Sequence, residues 1–460
     1  MDDRAGALDP GGQLAAAASD CVHCGFCLPA CPTYQLWGEE MDSPRGRIHL
    51  ISQVLAGAPV TEKVTTHLDR CLGCMACMPA CPSGVRYNEL IEAARAWPEE
   101  PGTGAAAAPE PGAARSVRDR AVRAAIFATF PYPNRLRALT GPLRLAQRAG
   151  LDRLAQRGPA TRYAPELAGS LRLAPRPAAG RGRLPGRIPA RSPRRAVVGM
   201  LTGCVQRVFF GDVNAATARV LAAEGCDVIV PPGQGCCGAL SLHSGRAAEA
   251  ARFAERVIGE FERAGVDAVV VNSAGCGSAM KEYGAFFGRA AGGEPGSLAA
   301  RAAAFSGRVR DFSEFLAELC REHGGPRAVR QELRALTAYH DACHLAHAQR
   351  IRQQPRDLLR GIPGLDLIEV GDGGTCCGSA GVYNLLQPEA AAELGQRKAA
   401  VLRATGARLV VSANPGCSLQ IASALAADGG EPVTVAHIAE VLDASFRGRP
   451  LSGLGVTVVR

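Results

Sequence analysis

The chain has 460 residues, of which 47% are hydrophobic, and a formal net charge of +9. This length exceeds what one core can organise, and it predicts roughly two to four domains. Residues 1–20 lack the basic and apolar regions of a secretory signal, and no apolar run approaches the ~18 residues of a membrane-spanning helix. We therefore expect a cytoplasmic protein that meets a membrane only peripherally, on the cytoplasmic face of the inner membrane.

The cysteines and the positive charge narrow the possible functions. Eighteen cysteines in a reducing compartment indicate thiolate ligands of metals rather than disulfides. The arginines concentrate in segments such as RGRLPGRIPARSPRR at 181–195, which contains no acidic residue. Its proline and glycine content is typical of a solvated linker, and no pattern of a nucleic-acid-binding fold accompanies it. Contact with an acidic partner protein or anionic lipid is favoured over nucleic acid.

Residues 1–95 contain one cysteine motif twice, as CVHCGFCLPACP at 21–32 and CLGCMACMPACP at 71–82. The spacing C-x2-C-x2-C-x3-C-P is that of bacterial ferredoxins, in which three cysteines hold one 4Fe–4S cluster and the fourth reaches the cluster of the other run. Structural zinc is the alternative, but it needs neither the third cysteine nor the C-P of each run. We expect His23 to be a surface or hydrogen-bonding residue rather than a ligand. The motif predicts two clusters, one bound by Cys21, Cys24, Cys27 and Cys81, and the other by Cys71, Cys74, Cys77 and Cys31.

The segment between the two runs predicts a helix. In DSPRGRIHLISQVL, Asp42 or Ser43 can cap a helix whose first residue is Pro44. Helical character here favours a mainly helical two-cluster domain over a compact β-hairpin ferredoxin. Arg45 and Arg47 bring positive charge toward the clusters, although exposed arginines are usually only solvated.

Residues 96–195 have the composition of a linker region. The stretch AWPEEPGTGAAAAPEPGAA at 96–114 is too rich in proline, glycine and alanine to build a core. Residues 115–158 look helical and arginine-rich, whereas residues 159–195 lack periodicity. We therefore predict a Pro/Ala/Arg-rich linker with a helical segment.

From residue 196 onward, short apolar runs alternate with helical stretches, and the series occurs twice. The cysteines repeat at matched intervals, with 32 and 33 residues from 204 to 236 and from 343 to 376, and 39 and 40 residues from 237 to 276 and from 377 to 417. This pattern predicts two tandem βαβ-type modules, 196–320 and 321–460, with cysteines at strand ends, where open α/β sheets form their binding loops. The chain is thus predicted to be an α+β or α/β protein with a helical two-cluster ferredoxin-like domain, a linker and two modules.

Each module contains two adjacent cysteines followed by glycine, in GCCGAL at 235–240 and TCCGSAG at 375–381. Adjacent thiolates can hold neighbouring irons of one cluster, and the glycine removes a Cβ that would block close approach. The remaining cysteines, Cys226 and Cys320, are expected to be buried apolar residues. The candidate metal ligands are Cys204, Cys236, Cys237 and Cys276 in the first module, and Cys343, Cys376, Cys377 and Cys417 in the second.

Two further features of the modules have competing interpretations. We expect His340, Asp341 and His344 to cap a strand end and to hydrogen-bond the sulfurs of a cluster, with a catalytic role as the alternative. GQGCCG at 233–238 matches the G-x-G-x-x-G fingerprint of dinucleotide binding, but the second module repeats only its CCG. The modules therefore share sulfur rather than a phosphate-binding loop.

These motifs together resemble a known family. Tandem ferredoxin runs followed by two CCG modules are similar to the iron–sulfur subunits of respiratory dehydrogenases in the CCG-domain group, which includes heterodisulfide reductase and anaerobic glycerol-3-phosphate dehydrogenase subunits. DSPRGRIHLI after the first run, AYHDACHLAHAQ from 338 and CCGSAGVYNLLQPEAAAELGQRKA from 376 are similar to the iron–sulfur subunits of glycolate oxidase (glycolate dehydrogenase). Relatives with the fullest motif end each module in C-x2-C, whereas this chain has Ser273 and Asn414 at the first of those positions.

The resemblance implies an electron-transfer subunit of a flavin-dependent 2-hydroxy-acid dehydrogenase, glycolate oxidase. Glycolate would be oxidised to glyoxylate on partner flavoprotein subunits that carry FAD, and electrons would pass towards the quinone pool. This chain shows no residues equipped to take a hydride, so we assign it no catalytic residue. The alternatives are a subunit of a lactate or glycerol-3-phosphate dehydrogenase, a disulfide or quinone reductase that reacts at its modules, or a structural zinc protein. A noncubane cluster, a cubane or no permanent group in the modules all remain open.

Overall fold

The computed structural model describes residues 12–99, 115–150, 171, 173–175, 183–288, 294, 296–371 and 374–455. Two compact units make up the chain, one formed by Met1–Ala128 with Gly238–Arg252 and the other by Thr129–Cys237 with Phe253–Arg460. Much of the predicted linker, at 100–114, 151–170 and 176–182, lies outside the described residues. No helix within the described ranges is long and apolar enough to cross a bilayer.

The first unit is mainly helical, as its sequence predicts. The helices up to residue 129 are α1 Gln13–Ser19, α2 Pro32–Trp37, α3 Pro44–Leu55, α4 Glu62–Arg70, α5 Tyr87–Glu99 and α6 Val117–Thr129, with a 3-10 turn at Glu40–Asp42. Ser43 caps α3 by accepting the backbone N–H of Gly46 at 3.0 Å, and Pro44 occupies the first position. Gly46 has no room for a side chain, because a Cβ there would run into the carbonyl oxygen of Glu40. The 3-10 turn and α3 are thereby packed closely together.

The second unit contains two sheets, one for each predicted module. The first consists of β1 Arg187–Ile188, β2 Ala196–Leu201, β3 Cys226–Ile229, β4 Ala268–Val271 and β5 Val309–Asp311. Its order is β1-β3-β2-β4-β5, with β1 antiparallel to β3 and all other pairs parallel. Strand β1 lies inside the predicted linker, where a strand of two residues is too short to produce a periodic pattern.

The second sheet repeats the topology of the first. It consists of β6 Ala335–Tyr339, β7 Leu365–Ile368, β8 Leu409–Ser412 and β9 Thr434–His437. The order β7-β6-β8-β9 is fully parallel and matches β3-β2-β4-β5. The repeat in cysteine spacing is therefore also a repeat of fold, and the predicted mixed fold class is confirmed. In each sheet the strand order reverses beside the first strand of the module, which is where open α/β sheets bind ligands.

Further helices lie between residues 133 and 447. They are α7 Pro133–Arg148, α8 Val205–Phe209, α9 Gly211–Ala223, α10 Ala239–Leu242, α11 Ala247–Ala264, α12 Ala274–Lys281, α13 Tyr283–Gly288, α14 Leu298–Ser306, α15 Phe312–Glu322, α16 Gln353–Arg360, α17 Tyr383–Leu386, α18 Pro388–Ala404, α19 Pro415–Ala427 and α20 Ile438–Arg447, with a π-helix at His344–Ala348. Apolar residues of the two sheets form one shared core. Arg219 of α9 donates to both carboxylate oxygens of Asp443 of α20, at 2.8 and 2.6 Å, and so joins the two modules.

A buried histidine also connects the ends of the two sheets. His437 ends β9 and caps α20, where its Nδ1 accepts the backbone N–H of Ala439 at 3.1 Å. Its Nε2 donates to the carbonyl oxygen of Asn272, just beyond β4, at 2.9 Å. Burial lowers the pKa of His437 to about 4. The neutral imidazole is therefore the form that bridges the modules.

We expect His437 to make stability depend on pH. Its folded pKa lies below the ordinary value, so the unfolded chain takes up a proton first and stability falls as pH drops from about 6.5 towards 4. By pH 5 the loss should reach about 2 kcal/mol. Urea unfolding at pH 7.5 and pH 5 should show a smaller loss in His437→Asn, which keeps a capping side chain. The exposed His49→Asn is the control, and a wild-type loss equal to that of His437→Asn would contradict the prediction.

Candidate metal centres

The first run and the end of the second run line one cavity. This cavity has a volume of about 420 Å³, and its cysteines are Cys21, Cys24, Cys27, Cys77 and Cys81. Cys24 is exposed, and three of the others are partly exposed. The structure therefore brings together the first predicted quartet, including the fourth cysteine from the other run, near the protein surface.

A second cavity contains the other predicted quartet. It has a volume of about 290 Å³, and its cysteines are Cys31, Cys71, Cys74 and Cys77. All four are buried. Cys77 lines both cavities, so the two lie side by side. The donors suit an iron–sulfur cluster, because each cavity presents four or more thiols and no carboxylate among its described lining residues.

The two cysteine loops share one backbone conformation. Two positions of each run have positive φ angles, His23 and Gly25 in the first and Gly73 and Met75 in the second. These are the residues two and four positions after the first cysteine of each run. Left-handed residues at both places wind the loop tightly, even where the residue is not glycine. His23 thus occupies a backbone position that the second run gives to Gly73.

A buried ionic network borders the second cavity. Arg47, which lines this cavity, is fully buried, and its Nε donates to the carbonyl oxygen of His67 at 2.7 Å. Its other nitrogens contact Thr33 Oγ1 at 3.2 Å and Asp42 Oδ1 at 3.3 Å. The Asp42 carboxylate also contacts His67 Nδ1 at 2.8 Å and accepts from Arg70 at 2.9 Å. Arg47 is therefore held beside the cysteines and is shielded from solvent.

Charge in this network acts on the nearby thiols. Burial opposes ionisation of Cys71, but the guanidinium groups of Arg47 and Arg95 outweigh it and lower the pKa of Cys71. The hydroxyl of Tyr87 lies 3.5 Å from Cys71 Sγ, and the backbone N–H of Gly73 donates to the same sulfur at 3.3 Å. Side chains outside the cysteine motif, together with one backbone N–H within it, thus stabilise a thiolate at Cys71.

Cys77 shows the opposite electrostatic behaviour. Burial, together with the neighbouring thiols Cys74 and Cys71, raises the pKa of Cys77 well above its usual value. Several buried thiols cannot all ionise unless a cation compensates their charge. A set of buried donors of this kind fits a bound iron centre.

In the first module, four cysteines gather at the carboxyl ends of the strands. Cys204 follows β2, Cys236 and Cys237 follow β3, and Cys276 lies in the first turn of α12 after β4. The sulfurs of Cys236 and Cys204 are 3.6 Å apart. Contacts with the thiols of Cys204 and Cys237, and burial, raise the pKa of Cys236 well above its usual value. The quartet predicted for this module is thus assembled where the topology places binding loops.

The second module assembles its quartet in the same place with deeper burial. Cys343, Cys376, Cys377 and Cys417 are all buried, whereas Cys204 and Cys276 of the first module are partly exposed. Cys377 receives hydrogen bonds from Cys376 and Cys417, and these, with a contact from His340, hold the pKa of Cys377 well below its usual value. The second site therefore contains one strongly favoured thiolate.

The two positions that depart from the fullest family motif meet across the modules. Ser273 Oγ donates to Asn414 Oδ1 at 3.4 Å, and the backbone N–H of Gly275 donates to the same oxygen at 3.4 Å. The side-chain amide of Asn414 donates to Cys417 Sγ at 3.4 Å. Asn414 therefore connects the second cysteine site to the first module. Ser273 and Gly275 lie far from Asn414 in the sequence, which is why sequence reasoning missed the contact between the modules.

Some predicted site residues have other roles in the structure. Asp341 accepts two hydrogen bonds from Arg356, at 2.9 and 2.8 Å, and so forms an ion pair beside the site. Cys226 is buried in β3 as predicted, but the prediction for Cys320 is wrong, because this residue of α15 is only half-buried. Gln234 of GQGCCG is fully buried and bonds the backbone at the end of β2, so it anchors the loop.

Comparison with known proteins identifies each part of the chain. The family model "4Fe-4S dicluster domain" matches residues 17–85, "Glycolate oxidase iron-sulfur subunit, linker region" matches 118–173, and "Cysteine-rich domain" matches 198–281 and 337–422. The probable glycolate oxidase iron–sulfur subunit of Bacillus subtilis is 36% identical over 92% of this chain and 93% of its own length. The chain belongs to the family of glycolate oxidase iron–sulfur subunits. The predicted resemblance is thereby confirmed.

Further relatives extend this finding. The glycolate oxidase iron–sulfur subunit of Escherichia coli is 36% identical over 88% of this chain and 89% of its own length. One subunit of the fumarate reductase (CoM/CoB) of Methanothermobacter marburgensis is 32% identical, but over only 54% of this chain and 46% of its own length. As a member of its family, the chain is an electron-transferring iron–sulfur subunit of an oxidoreductase, and 4Fe–4S clusters are its cofactors.

Asp42 should be the most sensitive carboxylate near the second cavity. In Asp42→Asn, the buried guanidinium of Arg47 loses its counter-charge, and we expect about 3 kcal/mol of destabilisation. The control is Glu40→Gln, which removes the ion pair of Glu40 with Arg45 near the surface and should cost about 0.5 kcal/mol. Urea unfolding of both variants measures the difference. Equal losses would show that the network contributes no more than a surface ion pair.

Proposed function

We propose that this chain is the iron–sulfur subunit of a flavin-dependent 2-hydroxy-acid dehydrogenase that oxidises glycolate to glyoxylate. The observation that carries the proposal is the pair of adjacent cavities in which each cysteine run contributes the fourth thiol of the other. Matches along nearly the whole length of two glycolate oxidase iron–sulfur subunits support the same substrate. FAD and substrate oxidation belong, in this proposal, to partner flavoprotein subunits, and the final acceptor is the quinone pool.

The eight N-terminal cysteines are proposed as the cluster ligands. The first cavity, which contains the exposed Cys24 and is called the outer cavity from here on, would hold one 4Fe–4S cluster. The second, fully buried quartet lines what we call the inner cavity, which would hold the other. Bound clusters would supply one-electron transfer between flavin and quinone. The ligands of the outer cluster are Cys21, Cys24, Cys27 and Cys81, and those of the inner cluster are Cys31, Cys71, Cys74 and Cys77.

The two cysteine quartets differ in the charge and the solvent exposure of their surroundings. Arg47 and Arg95 stabilise negative charge at Cys71, and burial removes the inner quartet from water. The outer quartet has an exposed member, Cys24, and exposed apolar neighbours, Val22 and Phe26. These features support an inner centre tuned by protein charge and an outer centre close to a docking partner. We propose no catalytic residue for this chain, because hydride removal requires the flavin of a partner. We place the complex in the cytoplasm, at the cytoplasmic face of the membrane that contains the quinone.

Lactate is the alternative substrate. Lactate utilization protein A 1 of Bacillus mycoides is 27% identical to this chain over 246 residues, but that match covers only 54% of the chain. The glycolate oxidase subunits cover the dicluster domain, linker and both modules together, and this greater coverage supports glycolate. A complex with partner flavoproteins that reduces its clusters with lactate and not with glycolate would contradict the proposal.

The exchange of fourth cysteines gives a direct test of the ligand sets. In the complex isolated anaerobically with its flavoprotein partners, glycolate should reduce two distinct 4Fe–4S signals in electron paramagnetic resonance (EPR) spectra. Cys24→Ala and Cys81→Ala should alter one signal, and Cys74→Ala and Cys31→Ala should alter the other, with about four irons lost in each case. If Cys81→Ala instead altered the same signal as Cys74→Ala, each run would complete its own cluster, and the proposed exchange would be wrong.

Arg47 should raise the reduction potential of the inner cluster. A buried cation favours the more negative, reduced state, so Arg47→Gln should lower this potential by on the order of 50–100 mV. Arg47→Lys perturbs the same hydrogen bonds but keeps the charge, and it should retain a potential near that of the wild type. An EPR-monitored redox titration measures both variants. Equal potentials in Arg47→Gln and Arg47→Lys would rule out a role for the charge.

A further inference from the structure

The second module contains a buried histidine that the first module lacks. His340 directly follows β6, three residues before Cys343, and it is 1% exposed. The equivalent position in the first module, three residues before Cys204, is the last residue of β2, Leu201. Strand pairing supports this correspondence, because Leu201 pairs with the end of β4 and His340 bonds the end of β8. At this position the second site therefore has a ligand-type side chain and the first site does not.

The ring nitrogens of His340 are buried without hydrogen-bond partners among the described residues. Neither Nδ1 nor Nε2 has a partner with hydrogen-bond geometry among the described residues. A loose polar interaction with His340 helps to lower the pKa of the Cys377 thiol, but neither ring nitrogen contacts that sulfur with full hydrogen-bond geometry. An unpaired polar group in such a buried position costs roughly 1–3 kcal/mol, so a native protein normally gives it a partner. The partner of His340 is therefore expected to be a group other than a protein side chain.

The surroundings of the ring identify the kind of partner. One nitrogen of His340 and the sulfurs of Cys377 and Cys417 all lie within 4.8 Å of one another. Metal–nitrogen and metal–sulfur bonds of about 2.0 and 2.3 Å place two donors of one metal within about 4.3 Å, so these three atoms are close to the spacing of a shared site. Among the described residues, this is the one group of three or more His, Cys, Asp or Glu side chains whose ligand atoms all lie within that distance. Imidazole and thiolate together bind iron or zinc rather than calcium or magnesium.

We propose that His340 is an imidazole ligand of an iron centre in the second module, together with Cys343, Cys376, Cys377 and Cys417. Five donors exceed the four of a structural zinc site, which favours iron in a cluster. The first module, with Leu201 at the matching position, would have only thiolates. This inference does not rest on the identity of the substrate or on the two N-terminal quartets.

A histidine ligand has a predictable electronic consequence. A neutral imidazole donates less negative charge to iron than a thiolate, and replacing thiolates by histidines raises the reduction potential of iron–sulfur centres. Asn414 adds to this effect by donating a hydrogen bond to Cys417 Sγ at 3.4 Å. The centre of the second module should therefore attract electrons more strongly than a centre ligated by thiolates alone.

Nitrogen ligation can be tested directly on the full chain. We would reconstitute the chain anaerobically with iron and sulfide, with and without 15N-labelled histidine, and record pulsed EPR spectra in the oxidised and reduced states. The wild type should show a strong histidine nitrogen coupling that is lost in His340→Leu, the substitution that copies the first module. The matched control His347→Gln changes a neighbouring buried histidine whose ring nitrogens contact Gly374 and Arg352, and it should keep the coupling.

Two further variants separate ligation from folding. Cys376→Ala/Cys377→Ala should lose the iron of the second module together with the nitrogen coupling. His340→Cys should retain that iron, lose the coupling and have a lower reduction potential, even if His340→Leu fails to fold. The proposal would be overturned by a wild type without histidine coupling in either state, by coupling that survives in His340→Leu or His340→Cys, by zinc in place of iron, or by an iron content unchanged in the double cysteine variant.

Discussion

The N-terminal unit is organised by one requirement, which is that thiols from two distant runs must meet in the same small volumes. Cys31 and Cys81 each lie in the cavity formed by the opposite run. Helices α2 to α4 span the forty residues between the runs and return the chain to the same place. Their packing depends on the buried Asp42 network, in which Arg47 is held by the backbone of α4 and by the carboxylate that precedes α3. The packing of these helices therefore determines whether the thiols of the two runs can meet.

The cysteine sites of the chain differ mainly in burial and in the charges nearby. The outer N-terminal quartet and the first-module quartet are partly exposed, whereas the inner quartet and the second-module quartet are buried. Each buried quartet has a fully buried polar side chain beside it, Arg47 in the N-terminal unit and His340 in the second module, whereas the arginine that lines the outer cavity, Arg45, is partly exposed. Burial without such a group would strongly disfavour several thiolates in one place. Single residues outside the cysteine motifs thus give the two copies of each motif different electrostatic environments.

Sequence reasoning succeeded where spacing alone determines structure. The matched cysteine intervals predicted a repeat that the strand order confirms, and the cysteines that the ferredoxin spacing groups together line common cavities. It failed where tertiary packing decides. Tyr87 and Arg95 reach Cys71 from α5, and Asn414 meets Ser273 across the modules, yet none of these residues belongs to a recognisable motif. The exposure of Cys320 depends on which face of α15 is covered, and its local sequence does not reveal this.

The meeting of the two runs also has a consequence for biosynthesis. Neither cavity can acquire its complete set of thiols until cysteines of the second run have left the ribosome, because each set includes members of both runs. A nascent chain that ends after the first run would present Cys21, Cys24 and Cys27 without Cys81, and Cys31 without its three partners from the second run. Metal loading of this unit must therefore wait for translation of the second run, and the first run cannot complete a site ahead of it.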